Sequence, residues 1–257
     1  MTDGWVSWRV RHVWERNFHV FVRTWKVSFL PPLFDSLFFL VALGYGLGQF
    51  VPAIDGVEYA RFVAPAVVAI GIMNASYYET TYGSFVRMYY QKTFDALIAT
   101  PVTIEEVIVG EILWGATKSV IYTALILPLL AVLGVISLPG SLLLLVLALP
   151  GGLLFGGIGL CFTARTPSID TLSYPQFLFI TPMMVISGTF FPIESLPVQI
   201  QWVAFALMPL AHLVSLSRAL TLAVPAPMGL VNLLWLTVVT AGVMVVAVRQ
   251  MRRRLVV

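Results

Sequence analysis

The chain has 257 residues, of which 59% are hydrophobic and only 11% charged, and its formal net charge is +3. Soluble domains are about 45–50% apolar and about 25% charged, so this composition excludes an ordinary water-facing globule and predicts a membrane protein. Several stretches reach the roughly 20 apolar residues a helix needs to cross the bilayer and none alternates like a barrel strand, so the expected fold is an all-α polytopic membrane protein.

Taken from the start, residues 1–27 are polar, basic and rich in Trp. Trp14, Phe18, Phe21, Val22 and Trp25 fall on one helical face, with Arg16, Arg23 and Lys26 pointing away. That pattern predicts a cytoplasmic amphipathic interface helix lying on the membrane surface with lipids as its partners. It is not a secretory signal, so the first span is expected to be retained. Spans are predicted at about 28–50, 59–83, 108–136, 140–164, 171–191 and 228–248. Gly44/Gly48 and Gly152/Gly156 are small-residue pairs that let helices approach closely, inside one subunit or at a dimer seam.

Glu79 in the second span is an ionisable side chain at membrane depth, which needs a named partner; Lys118, early in the third span, is the candidate. The pair serves either to fix helix register or in gating. Between those spans lies the one long polar internal segment, from Arg87 to Glu111. Within it Phe94, Leu97 and Ile98 share a face at i, i+3, i+4, suited to anchor a helix in a groove on a partner. Pro101 stops that helix, and Thr103 with Glu106 forms a capping box that starts the next.

The run Gly110 to Ser119 superficially resembles a phosphate loop, but Ala116 and Thr117 separate the second glycine from its lysine and the segment opens an apolar helix. Cys161 sits alone in an apolar run and reads as a small buried hydrophobe. No carboxylate pair, nucleophile triad or metal-spaced cluster is evident, so neither catalysis nor a metal site is expected. The stretch 200–222 is apolar but is interrupted by Pro209 and carries His212 and Arg218. The positive-inside rule places Arg9 to Lys26 and Arg249 to Arg254 both in the cytoplasm, which requires an even number of spans. Residues 192–222 are therefore predicted to form an external re-entrant hairpin between spans five and six, walled off from lipid by protein. The basic balance then reports membrane orientation, and no nucleic-acid partner is implied.

The segments "YETTYGSFVRMYYQKTFDALIATPVTIEEVIVGEILWGATK" and "PQFLFITPMMVISGTFFPIESLPVQIQWVAFALMPLAHLVSLSRAL", with the "VWERNFHVFVRTWK" start and "RRRL" end, resemble the ABC-2 type permeases. Within them the resemblance is to the NodJ-type exporter subunits for lipo-oligosaccharide nodulation factors. It implies the ABC-2 exporter fold over residues 28–257, in a multi-pass protein of the bacterial inner membrane with both termini cytoplasmic. It further implies a homodimer paired with two copies of a separate ABC ATPase subunit, with ATP and Mg bound on that partner and no cofactor in this chain.

In such a family the first cytoplasmic loop carries the coupling helix, here about residues 91–101, with Gln91, Phe94, Asp95, Leu97, Ile98 and Pro101 as its contact residues. Ser187, Gly188, Phe190, Phe191 and Pro192 resemble the family's outer gate, where facing aromatics close the path by dewetting. His212 and Arg218 then either satisfy backbone groups in the hairpin or meet a headgroup. The function implied is outward movement of an amphipathic, glycolipid-like substrate. The alternatives are efflux of hydrophobic drugs or polyketides, and an ion-coupled carrier that uses Glu79 and Lys118 without an ATPase.

Overall fold

Long apolar helices carry the chain back and forth between two ends. The computed structural model describes residues 7–51, 53–54, 56–223 and 228–256; residues 1–6 of the expected interface segment lie outside the described residues. Helix α1 (Val10–Leu40) continues through a π turn (Val41–Gly46) and a 3-10 turn to Gln49. Helix α1 runs unbroken through residue 27, the expected end of the interface segment, and Pro31 and Pro32 are accommodated within it. Helix α2 (Tyr59–Tyr78) runs on through two π segments, Glu79–Gly83 and Val86–Tyr90. The short α3 (Thr93–Ile98) follows, and then α4 (Ile104–Val132). Helix α5 (Leu138–Ser141) leads into α6 (Leu143–Thr163).

From Asp170 to Ile186 the chain stays helical in four pieces: a 3-10 turn, α7 (Ser173–Pro175), a π turn (Gln176–Ile180) and α8 (Thr181–Ile186). Helices α9 (Val198–Leu207) and α10 (Pro209–Leu222) meet at a bend of 92°, and α11 (Gly229–Leu255) closes the fold. Five of these helices, those containing α1, α2, α4, α6 and α11, are long and apolar enough to cross a membrane.

Contacts fix which ends lie together. Arg9 donates to the Pro101 carbonyl (2.7 Å), Arg252 pairs with Glu105 (3.1 Å) and Arg254 donates to the Thr163 carbonyl. The start of α1, the α3 connection, the end of α6 and the end of α11 therefore share one end. At the other, Tyr45 donates to the Leu133 carbonyl (3.3 Å) and Tyr59 to the Phe190 carbonyl (3.0 Å), while Gly140 approaches the Leu220 carbonyl so closely that a Cβ would collide with its oxygen. The composite helix 170–186 thus runs from the first end to the second, without being one of the five long apolar helices. Its 17 residues span about 26 Å at 1.5 Å per residue, somewhat less than a full hydrocarbon thickness. The α9–α10 pair leaves the second end and returns to it, as a re-entrant element does. Both termini of the described chain consequently lie at the same end.

The small residues do their packing inside this chain. A Cβ on Gly152 would lie 2.7 Å from the Ala116 Cα, and one on Gly156 2.7 Å from Ser76 Oγ, so α6 is drawn close to α4 and α2. Ser76 donates to the Gly152 carbonyl (2.6 Å) and Ser119 to the Ile72 carbonyl (2.7 Å), bonding the same helices across their closest approach. Gly44 lies against Ala60 in the same manner.

Candidate functional site

Two neighbouring features stand out on α2 and α4: a buried charge network and the connection between the helices. Where α2 widens into its first π turn, Glu79 is 9% exposed. Its carboxylate accepts from Lys118 Nζ (2.5 Å), Arg87 Nη1 (2.6 Å) and Trp114 Nε1 (3.0 Å). The expected Glu79–Lys118 pair is therefore present, within a larger cluster that the sequence did not reveal. Arg87 also donates through Nε (2.9 Å) and Nη2 (2.5 Å) to the fully buried Glu111, which further accepts from Ser84 Oγ (2.6 Å) and Asn17 Nδ2 (2.8 Å). Gly83 makes this possible, since a Cβ there would lie 3.1 Å from a Glu79 oxygen and 3.4 Å from Arg87 Nη1. Two carboxylates and two cations cancel, and every charge is paired, which is the condition for ionised groups away from water. The network ties α1, α2 and α4 together.

The helix in the connection is shorter than its expected span of about 91–101. Lys92 adopts a left-handed backbone (φ 53°), so α3 begins only at Thr93. The capping box is present: Thr103 Oγ1 accepts from the Glu106 amide (3.3 Å) and Glu106 accepts from the Thr103 amide (2.8 Å). The apolar face, however, does not look outward. Phe94 is fully buried in a cluster with Val13, Phe85, Met88, Ile108 and Met251, and Leu97 and Ile98 pack against the same cluster. Phe94 is thus turned toward the chain's own helices, while Leu97 and Ile98 remain half-buried. The exposed residues are Gln91, Lys92, Asp95, Ala96, Ala99, Thr100 and Pro101.

The aromatic face of α1 is likewise turned inward over part of its length. Trp14 donates to Thr117 Oγ1 (2.8 Å) and stacks on Phe18, while Phe21 packs 5.6 Å from the Trp114 ring. Val22 and Trp25, about half exposed, stand clear of these contacts. Arg16, expected to point away, donates to Asn17 Oδ1 and Thr93 Oγ1. The phosphate-loop lookalike lies wholly within α4 and forms no loop.

At the other end Gly188 occupies the left-handed region (φ 71°) and ends α8. Ser187 is buried with its hydroxyl unpaired, Phe190 packs on Phe39 (5.5 Å), and Phe191 and Pro192 are half-buried. Arg218 lies 3.7 Å over the Phe62 ring and donates to the Phe62 and Thr189 carbonyls (3.3 Å each). His212 sits between the Phe205 carbonyl (2.8 Å) and Asn232 (2.9 Å) and stacks on Trp235 (4.1 Å). Both side chains contact the chain's own backbone and aromatic groups. Among the described residues no cluster of His, Cys, Asp and Glu is arranged to hold a metal.

A cavity of about 700 Å³ opens beside the network, between α1, α2 and α4, with Phe34, Asp35, Phe38, Asn74, Tyr78, Glu79 and Lys118 among its lining. A second of about 460 Å³ shares Ser28, Glu79, Gly83 and Lys118 with it and extends towards Arg16 and Gln91.

A family model described as "ABC-2 type transporter" matches residues 9–222. Nodulation protein J of Rhizobium leguminosarum bv. viciae is 36% identical over 86% of this chain and 85% of its own length. Nodulation protein J of Rhizobium meliloti (strain 1021) is also 36% identical, over 85% and 83%. The inner membrane transport permease YadH of Escherichia coli (strain K12) is 21% identical over 75% and 74%.

Proposed function

Because the chain belongs to the ABC-2 type transporter family and is a multi-pass transport permease subunit, we propose that it forms the membrane path of an ATP-driven exporter in the bacterial inner membrane. Two copies pair with two ATPase subunits, which bind ATP and Mg, and both termini lie in the cytoplasm. The substrate is amphipathic and glycolipid-like, a reading supported by the likeness to nodulation proteins J.

One observation carries the mechanism: the α3 connection is pinned on its inner side and exposed on its outer side. Phe94 is sunk in the cluster beneath it, Arg16 holds Thr93, Arg9 holds the Pro101 carbonyl, and Arg252 holds Glu105. The ATPase docks on the outer face formed by Gln91, Asp95, Ala96, Ala99 and Pro101, and Phe94, Leu97 and Ile98 carry its push inward to the helices. A loosely tethered loop would absorb such motion; a pinned one moves α2 and α4 as a unit through the charge network. At the far end, Phe190 and Phe191 of two copies close the path until the helices shift. Glu79 and Lys118, the charges an ion-coupled carrier would use, are already bonded to each other and, through Glu79, to Arg87, which favours this reading over an ion-coupled carrier.

The test separates docking from folding. Asp95→Arg should leave the purified subunit as thermally stable as the natural protein while abolishing its co-purification with the ATPase and ATP-driven export. Normal coupling in that variant would remove the docking assignment.

A further inference from the structure

The 700 Å³ cavity is of a size that accommodates a small-molecule ligand, and its polar groups are unevenly matched. Lys118 and Arg87 are each paired with a carboxylate, so the wall adds no unpaired cation. Asp35 is different. It sits midway along the first span, it is exposed, and among the described residues no donor or cation reaches its carboxylate. Asn74, on the facing helix, has a buried Oδ1 with no donor; the broad χ2 preference of Asn lets the amide turn this oxygen toward the cavity. An unpaired carboxylate within a membrane span is costly and marks a polar path. Here it supplies, with Asn74, two unused acceptors and one unbalanced negative charge. The cavity is also lined by Phe34 and Phe38, which flank Asp35 within about one turn of α1 and are 54% and 69% exposed, and by Tyr78 of α2.

Resting on the exporter reading above, we infer that this cavity receives the polar head of the substrate, and that the head is rich in hydroxyl or amino donors, neutral or cationic, and not phosphorylated. Its donors meet Asp35 and Asn74, a sugar face lies on Tyr78, and the acyl tail runs along Phe34 and Phe38. An anionic phosphate head would meet Asp35 as a like charge and would have to take Lys118 away from Glu79. The pocket therefore selects glycolipids whose sugar is joined to the lipid without a phosphate, and a free amine on that sugar adds to the preference.

The probes are three photoreactive lipids with the same diazirine-bearing tail and different heads: an alkyl glucoside, an alkyl glucosaminide and an alkyl phosphate. They are applied to the subunit with its ATPase in nanodiscs, with labelled peptides mapped by mass spectrometry. Both sugar lipids should label α1 and α2 at least about tenfold more strongly than the phosphate. Asp35→Asn should lower labelling by the amine roughly tenfold, the loss expected for one hydrogen bond to a charged group. Asp35→Lys should turn the preference towards phosphate. Since Asp35 bonds nothing, these variants leave folding intact, and thermal stability equal to the natural protein checks it. Equal labelling by the phosphate, no effect of Asp35→Asn, or an Asp35→Cys disulfide joining two copies would overturn the inference. Sugar-selective labelling without ATP-driven export would instead overturn the exporter reading, and export with phosphate preference would overturn only the head-group assignment.

Discussion

Replacing Glu111 with Gln keeps the shape of a fully buried side chain and removes its charge. In the natural sequence Glu79 and Glu111 balance Arg87 and Lys118; the variant leaves two cations facing one carboxylate, a net +1 in a dry site. Breaking a buried pair on one side costs about 3–5 kcal/mol, a large part of a typical stability of about 5–15 kcal/mol. Arg87→Met alone leaves −1 and should cost a similar amount. The double variant returns the net charge to zero, and the amide then at position 111 can still accept from Asn17 through its oxygen while its nitrogen donates to the Ser84 hydroxyl. It should therefore be more stable than the sum of the singles predicts by about 2 kcal/mol or more. Thermal unfolding followed by intrinsic fluorescence, with Trp114 bonded to Glu79 as a local reporter, measures all four proteins. Strict additivity, or a Glu111→Gln protein as stable as the natural one, would refute the claim that this network bolts α1, α2 and α4 together.

Other outcomes follow from the same geometry. Phe94→Ala should destabilise the isolated subunit by about 3–5 kcal/mol, as for a large buried aromatic, in contrast to Asp95→Arg on the exposed side of the same helix; a thermal scan of both reads the difference. Gly152→Ala would place a Cβ 2.7 Å from the Ala116 Cα and should cost about 1–3 kcal/mol of overpacking, measured by the unfolding midpoint. Arg218→Lys should behave nearly as badly as Arg218→Met in resistance to heat and detergent, because a single ammonium cannot both lie over Phe62 as a plane and bond the Phe62 and Thr189 carbonyls.

The spans were legible because apolar length is a direct reading of hydrocarbon thickness, and the Glu79–Lys118 pair because a charge at membrane depth requires a partner. Arg87 and Glu111 escaped notice for a related reason. They sit at the two edges of the polar segment, where charge is ordinarily solvated, and only the π turns of α2 and the small Gly83 bring them together. The direction of Phe94 was hidden as well. Helical periodicity reveals that an apolar face exists, but the partner that covers it, here Met88, Ile108 and Met251 from other stretches of the chain, is set by tertiary packing. For the same reason Trp14 and Phe21 read as a membrane-facing stripe although Trp114, far along the chain, receives them.

The most direct measurement is a cross-link from each end of the fold to the ATPase. Cysteines placed at Ala99, on the exposed face of the α3 connection, and at Val198, on the far end, are reacted with a short thiol cross-linker in membranes containing both subunits. The account predicts an adduct from position 99 whose yield changes with bound ATP, and none from position 198. An adduct from position 198, or silence at position 99 while export continues, would contradict it.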